Sequence, residues 1–225
     1  MPTSAIVTGV GTVLLMPPAF GAELEPEVQA AGYGPVSCVN SREALSEVFA
    51  TCIPQLLLAF STGVVVPTEY LARDGLLAVN IHGAPPSYPG RDPHHFAAYD
   101  GATCYGATLH RMVAAVDQGA VIRVSLQEVS PTTPPHELMA IGVRHGLALA
   151  RAFLAELARG RVPAPDPQLR WTASVRRRRD FQQLCRIAPD IDRQEFERRL
   201  HATSMPGYSN LVLTLHGHTF RLDPP

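Results

Sequence analysis

The sequence predicts an α/β protein: a doubly wound, mostly parallel, Rossmann-like sheet with a small α+β extension at its C-terminal end. Three observations predict it. Over roughly the first 80 residues, short apolar runs alternate with segments of helical pattern, the arrangement that gives right-handed βαβ crossovers. One of those runs, Ile53–Phe60, is nearly continuous in apolar residues, as a parallel strand covered on both faces requires. From about Gln168 the alternation gives way to four consecutive arginines, short helical patterns and a hairpin signal. The stretch Val162–Pro167 (VPAPDP) reads as the exit from a main domain, residues 1–162, into an extension, residues 163–225.

Taken in order, Ala5–Gly9 reads as the first buried strand, entering a turn at Gly9-Val10-Gly11-Thr12. That turn is not a dinucleotide fingerprint: Leu14 stands where the third glycine belongs, and no acidic residue follows in the required strand context. Glu23–Ala31 reads as a helix stopped by Gly32 and Gly34, and Val36–Val39 as a strand. Asn40 or Ser41 caps a helix through about Thr51. Ile53–Phe60 is the third strand, Ser61–Val66 a loop, and Pro67 the first residue of a helical turn through Leu71. Leu76–His82 is the fourth strand. A helical turn at Pro93–Tyr99 precedes two strands, Tyr105–Val113 and Val121–Val129, joined by the loop Ala114–Gly119. Apolar residues at helical spacing make Thr133–Arg159 a long amphipathic helix, closed by Gly160. The extension carries helices at Phe181–Arg186 and Arg193–Ala202, then a hairpin of Leu211–Leu215 with Thr219–Leu222.

Composition narrows the function. The chain has 225 residues, 46% of them hydrophobic, enough for a sizeable core. Its formal net charge of −1 offers no basic field for a long polyanion, so nucleic acid is not expected as a partner. All 19 basic residues are arginine, which excludes a Schiff-base lysine and a P-loop lysine. Cys38, Cys52, Cys104 and Cys185 form no CxxC pair and read as buried thiols of a reducing compartment. No metal site is expected: His94 and His95 are adjacent and have no i+4 partner. No secretion signal follows Met1, and no apolar run reaches the roughly 18 residues of a spanning helix. A soluble, cytoplasmic protein without a membrane partner is the expectation.

The chemistry centres on Leu76–Gly90. Residues i and i+2 of a strand project to one side, so Asn80 and His82 point together while Ile81 turns the other way. Gly83, Pro85, Pro86, Pro89 and Gly90 then make a stiff loop that continues neither strand nor helix. Ligands of open α/β sheets bind at such strand ends. Asp117, in a loop with Gly119, is the third candidate.

In combination, NIHGAPPSYPGRDPHHFAAYDG, YGATLHRM and VDQGAVI resemble the folate-dependent formyltransferases, among them the glycinamide ribonucleotide, methionyl-tRNA and nucleotide-sugar enzymes. The matching features are Asn80-x-His82, Pro86-x-Tyr88-x-Gly90, Gly106-Ala107-Thr108-x-His110 and Asp117-x-Gly119-x-Val121. The resemblance implies the formyltransferase fold and an enzyme that moves a formyl group from 10-formyltetrahydrofolate, its co-substrate, to a primary amine. By that resemblance Asn80 donates to the formyl oxygen, His82 is a second donor and proton carrier, and Asp117 orients His82 or holds a relaying water. Donors aimed at a developing oxyanion and a group titrating near neutrality suit that reaction. The resemblance also implies that the pterin rests against Phe60, Ser61, Thr62, Gly63, Val64 and Val65, with Val113 and Asp117 alongside. By the same resemblance Tyr88, Gly90, Arg91 and His110 are expected to face the acceptor.

Departures from the family pattern bear on the acceptor. Gly83-Ala84-Pro85-Pro86 makes the loop one residue shorter, Pro89 stands where arginine precedes the glycine, and GVGTVLLMPP shows no phosphate-cradling loop. The tail is too short for a tRNA-binding domain and resembles the small extensions of sugar N-formyltransferases, a place for a homodimer contact. The expected acceptor is therefore a small metabolite amine, a nucleotide-linked aminosugar for instance, in sugar or antibiotic biosynthesis. Two alternatives use the same scaffold: a formyltetrahydrofolate hydrolase releasing formate, and a non-catalytic folate-binding or scaffolding member. Arg176–Arg179 reads either as a solvated face or as a phosphate site.

Overall fold

The computed structural model describes residues 11–222. From its start, β1 (Thr12–Leu15) leads through α1 (Pro18–Ala30) to β2 (Val36–Val39) and α2 (Arg42–Thr51). Then come β3 (Leu56–Phe60), the single turn α3 (Thr68–Leu71) and β4 (Leu77–His82). After α4 (Pro93–Asp100), the strands β5 (Cys104–Arg111) and β6 (Val121–Glu128) precede the long helix α5 (Pro135–Leu157). The six strands form one sheet in the order β2-β1-β3-β4-β5-β6. Strands β1 to β4 pair in parallel, and β5 alone runs against its neighbours.

Both faces of the sheet are covered, which is why its strands are apolar on both sides. On one face Leu14, Leu58, Val79 and Ile81 pack under α1 and α5, through Leu24, Val28, Phe153 and Leu157. On the other, Val13, Leu15 and Leu57 meet Leu45 and Phe49 of α2. The fold is therefore doubly wound, as the alternation predicts. Helix α5 is long and apolar enough by length and composition to cross a membrane, but half of its most apolar window is buried, and its inner face packs on the sheet.

Several boundaries differ from the sequence reading. The strand expected at Ala5–Gly9 lies outside the described residues; Thr12, expected in the turn after it, begins β1, and Leu14 is a fully buried strand residue. Of the four cysteines, expected to be buried, Cys185 is buried, Cys52 is half-buried, and Cys38 and Cys104 are exposed. Helix α1 begins five residues before the expected Glu23 because Pro18 takes the first helical position, where its missing N–H costs nothing. Ser41 caps α2, its Oγ accepting from the Ala44 N–H at 3.1 Å. Pro67 is the cap of α3 rather than its first residue.

The extension folds back against the main domain. It contains α6 (Arg178–Leu184), β7 (Arg186–Ile187) and α7 (Arg193–Thr203), then β8 (Ser204–Met205) and β9 (Tyr208–Ser209). The hairpin β10 (Val212–Leu215) and β11 (His218–Arg221) turns at His216-Gly217, both with positive φ (49° and 81°), the conformation a tight two-residue hairpin favours. Helix α7 packs on α4, where the His95 Nδ1–H donates to the Ala202 carbonyl at 2.6 Å and the Tyr99 hydroxyl donates to Glu195 at 2.9 Å. Helix α6 starts inside the arginine run, three residues earlier than the expected Phe181.

Candidate active site

The strand order reverses between β1 and β3, and the carboxyl ends of β3 and β4 open beside that switch point. Asn80 and His82 lie at the end of β4, on one side of it, as period two dictates. The antiparallel register sets Asn80 opposite His110 and His82 opposite Thr108 of β5. The Thr108 hydroxyl donates to the Ala84 carbonyl at 2.8 Å and so pins the proline-rich clasp to the sheet. Asp117 reaches the same point from the β5–β6 loop with a left-handed backbone (φ 48°). Gly119 makes that approach possible, since a Cβ there would overlap the Arg111 backbone.

The result is a compact, buried cluster. His82, His110 and Asp117 are 8%, 2% and 6% exposed. His110 donates through Nδ1–H to the Arg111 carbonyl at 2.8 Å, because a carbonyl can only accept. Its Nε2 then accepts from the Asn80 amide at 3.0 Å, and the amide's other N–H lies 3.5 Å from Asp117 Oδ1. His82 donates through Nε2–H to the Tyr88 carbonyl at 2.7 Å. Its Nδ1 faces Asp117 Oδ2 at 3.3 Å, and the Gly90 N–H donates to that same oxygen at 2.8 Å. His82 is thus held between two acceptors, and only the doubly protonated ring satisfies both.

Electrostatics sets two opposing tendencies. Burial pushes the His82 imidazole below its ordinary value, against the pull of the Asp117 carboxylate and the Tyr88 carbonyl. Burial also opposes ionisation of Asp117, but His110, the His82 ring and the Gly90 N–H outweigh it and hold that carboxyl below the usual range. The site therefore presents an ionised carboxylate beside an imidazole that burial favours in its neutral form, with an amide N–H at its edge. Such a set can stabilise charge growing on an oxygen and exchange one proton with a neighbouring nitrogen.

Sequence-expected residues divide around this cluster. His110, expected toward an acceptor, sits inside it against Asn80 and Asp117. Tyr88 contributes its carbonyl; burial pushes its phenol up to about 12, with Asp100 adding to the effect. Gly90 contributes its N–H, while Arg91 is exposed. Phe60 is fully buried in the core, so only its backbone borders the strand end. Ser61, Gly63 and Val65 are exposed, Thr62 and Val64 half-buried, and Val113 is exposed.

One residue of the site has no signal in the sequence. Trp171, in the segment leading out of the main domain, donates its Nε1–H to the Gly119 carbonyl at 2.9 Å. Its ring stands edge-on to His110 and His82, with centroids 5.0 and 5.7 Å apart. Beyond the clasp, a cavity of about 530 Å³ is lined by Arg91, Arg178, Arg186 and Arg221, with Asp92 and Phe181.

The fold and this constellation define a class of protein. The sequence model of the formyl transferase family matches residues 26–145, and the chain belongs to that family. Methionyl-tRNA formyltransferase of Mycobacterium avium (strain 104) is 32% identical over 151 residues, covering 64% of this chain and 47% of that protein. The chain thus spans about half the length of the curated relative it matches. Among solved structures, a sugar N-formyltransferase from Shewanella superposes with a TM-score of 0.74 at 14% identity, over 96% of this chain and 97% of that one. An N-formyltransferase from Helicobacter canadensis, in complex with folinic acid and dTDP-3-aminofucose, superposes with a TM-score of 0.65 at 12% identity, over 92% and 85%. Those likenesses cover the extension as well as the sheet.

Proposed function

We propose that this chain is an N-formyltransferase that moves a formyl group from 10-formyltetrahydrofolate to the primary amine of a small, anionic metabolite. The observation that carries this reading is the cluster of half-buried Asn80 with buried His82 and Asp117 at the open end of the sheet, within the segment that matches the family. The loop Ser61–Val65 fits a flat heterocycle, since its exposed positions offer main-chain groups and apolar surface, and Gly63 leaves the backbone open. The folate-bearing Helicobacter structure lends the same support.

In this reading Asn80 turns the N–H that Asp117 holds only at 3.5 Å to the formyl oxygen as charge grows there. Asp117 passes the proton leaving the amine to His82 Nδ1, which replaces a lone pair facing a carboxylate by a charge-assisted hydrogen bond. The same proton returns by way of Asp117 to the leaving nitrogen of the folate, since His82 Nε2–H is tied to the Tyr88 carbonyl. His110 keeps Asn80 turned the right way by accepting its other N–H. The cavity lined by Arg91, Arg178, Arg186 and Arg221 begins one residue beyond Gly90 and suits the phosphates of an acceptor such as a nucleotide-linked aminosugar.

The test is release of tetrahydrofolate from 10-formyltetrahydrofolate with and without a panel of amines, phosphorylated and neutral. Release that depends on a phosphorylated amine is expected. Amine-independent release with formate would show a hydrolase instead, and no release in any arm would show a non-catalytic member.

A further inference from the structure

The segment from Asp166 to Arg176 is a strap laid across the site. Its backbone bonds to the main domain at several points: Asp166 N–H to the Val121 carbonyl, Thr172 N–H to Pro86 and Arg176 N–H to Pro89, at 2.9, 3.1 and 2.9 Å. The Arg91 N–H returns a bond to the Arg176 carbonyl at 3.0 Å. Gly90 allows the strap this close, because a Cβ there would overlap the Arg176 backbone and the glycine has φ 97°. The strap carries the chain's single tryptophan to the centre of the cluster.

Trp171 makes two contacts at the cluster, and among the described residues no other aromatic ring pairs with both imidazoles. Its Nε1–H fixes the carbonyl of Gly119, two residues from Asp117, in the turn that gives the carboxylate its position. Its ring borders both imidazoles. An indole is large and rigid and has a single polar atom, here satisfied, so it can cover charged groups without adding a competing proton donor or acceptor.

We propose that Trp171 is a positioning residue that sets specificity: it holds the Asp117 turn and shields His82 and His110 from water, so that the formyl group passes to an amine and not to water. The outcome for the formyl group rests on the formyl-transfer reading above; the shielding does not. Amine attack forms the N–C bond of a formamide and breaks the bond to the folate nitrogen, which takes the proton the amine gives up. Water attack on the same carbon breaks the same bond, protonates the same nitrogen and releases formate. The two reactions use the same cluster and differ in whether water reaches it.

Two variants test this, Trp171→Phe, which keeps an aromatic cover, and Trp171→Ala, which removes it. The shielding is read without turnover, from the rate at which diethyl pyrocarbonate modifies each histidine, followed by peptide mass spectrometry. His82 and His110 should react about ten-fold faster in Trp171→Ala and little faster in Trp171→Phe. His136, whose side chain is 40% exposed, should react equally in all three proteins and serves as the internal standard. The partition is read as formylated amine against free formate. Trp171→Phe should keep the wild-type ratio with turnover about five-fold lower, for the lost hydrogen bond; Trp171→Ala should shift the ratio about ten-fold toward formate. Unchanged histidine reactivity in Trp171→Ala overturns the shielding. Exposed histidines with an unchanged ratio overturn the specificity role. A wild-type protein without turnover removes the formyl-transfer reading and the specificity role with it, while the histidine rates still decide the shielding.

Discussion

Gly142 lies on α5 directly against the residue that follows His82, and replacing it by alanine should disturb stability and catalysis together. A Cβ at Gly142 would stand 3.0 Å from the Gly83 carbonyl carbon and inside the contact distance of its oxygen. Neither neighbour is a side chain that can swing aside, so helix and clasp must part by about 1 Å; overpacking of this kind costs about 1–3 kcal/mol. Alanine returns roughly 1 kcal/mol through its better helix propensity. The net loss is up to about 2 kcal/mol, which for a chain of this size lowers Tm by up to about 4–8 °C. Because Gly83 is joined to His82, a shift of about 1 Å also misplaces the imidazole, and misplacement on that scale costs about 10²-fold in rate. Gly146→Ala is the comparison: its Cβ would press on the Phe60 ring, in the core below the site. It should lower Tm to a similar extent while sparing more of kcat. Thermal unfolding and steady-state kinetics on both variants check this. A Gly142→Ala protein with wild-type Tm and kcat within two-fold would refute the claim that this close contact positions His82.

Two further outcomes follow from other parts of the structure. Gly90→Ala forces a side chain into a left-handed conformation (φ 97°) and against Val175 and Arg176, a cost of about 1–3 kcal/mol. The strap should lift, with a lower Tm and a red shift of Trp171 emission; an unshifted spectrum would contradict it. Burial pushes the His94 imidazole down to about 3, with His95 adding to the effect. Below its ordinary value of 6.5 the unfolded chain binds this proton and the folded chain does not, so stability falls as pH drops from about 6.5 toward 3 and is unaffected above 6.5. His94→Gln should recover about 1–2 kcal/mol between pH 7 and pH 5 in urea unfolding, relative to wild type; an unchanged pH slope would count against the burial.

What could be read from the sequence follows physical lines. Strands β2, β3 and β4 and helix α2 were legible because apolar runs, a serine cap and turn residues agree locally. Asn80 and His82 were legible because a strand puts alternate residues on one side. His110 was found only by its place in a motif, and its partnership with Asn80 depends on the β4–β5 register, which local pattern does not carry. Trp171 was not legible at all: it lies 52 residues from Gly119, in a proline-containing strap whose course is set by long-range backbone bonds. The start of α1 was misplaced by five residues: Pro18 occupies its first helical position, where a proline opens a helix as readily as it breaks one.

The account rests on proton transfer through His82 and Asp117, and single-turnover formyl transfer by His82→Ala and Asp117→Ala tests it most directly. With 10-formyltetrahydrofolate bound and a competent amine in excess, each variant should form product at least about 10²-fold more slowly than wild type while retaining donor affinity. Near-normal single-turnover rates in both variants would contradict it.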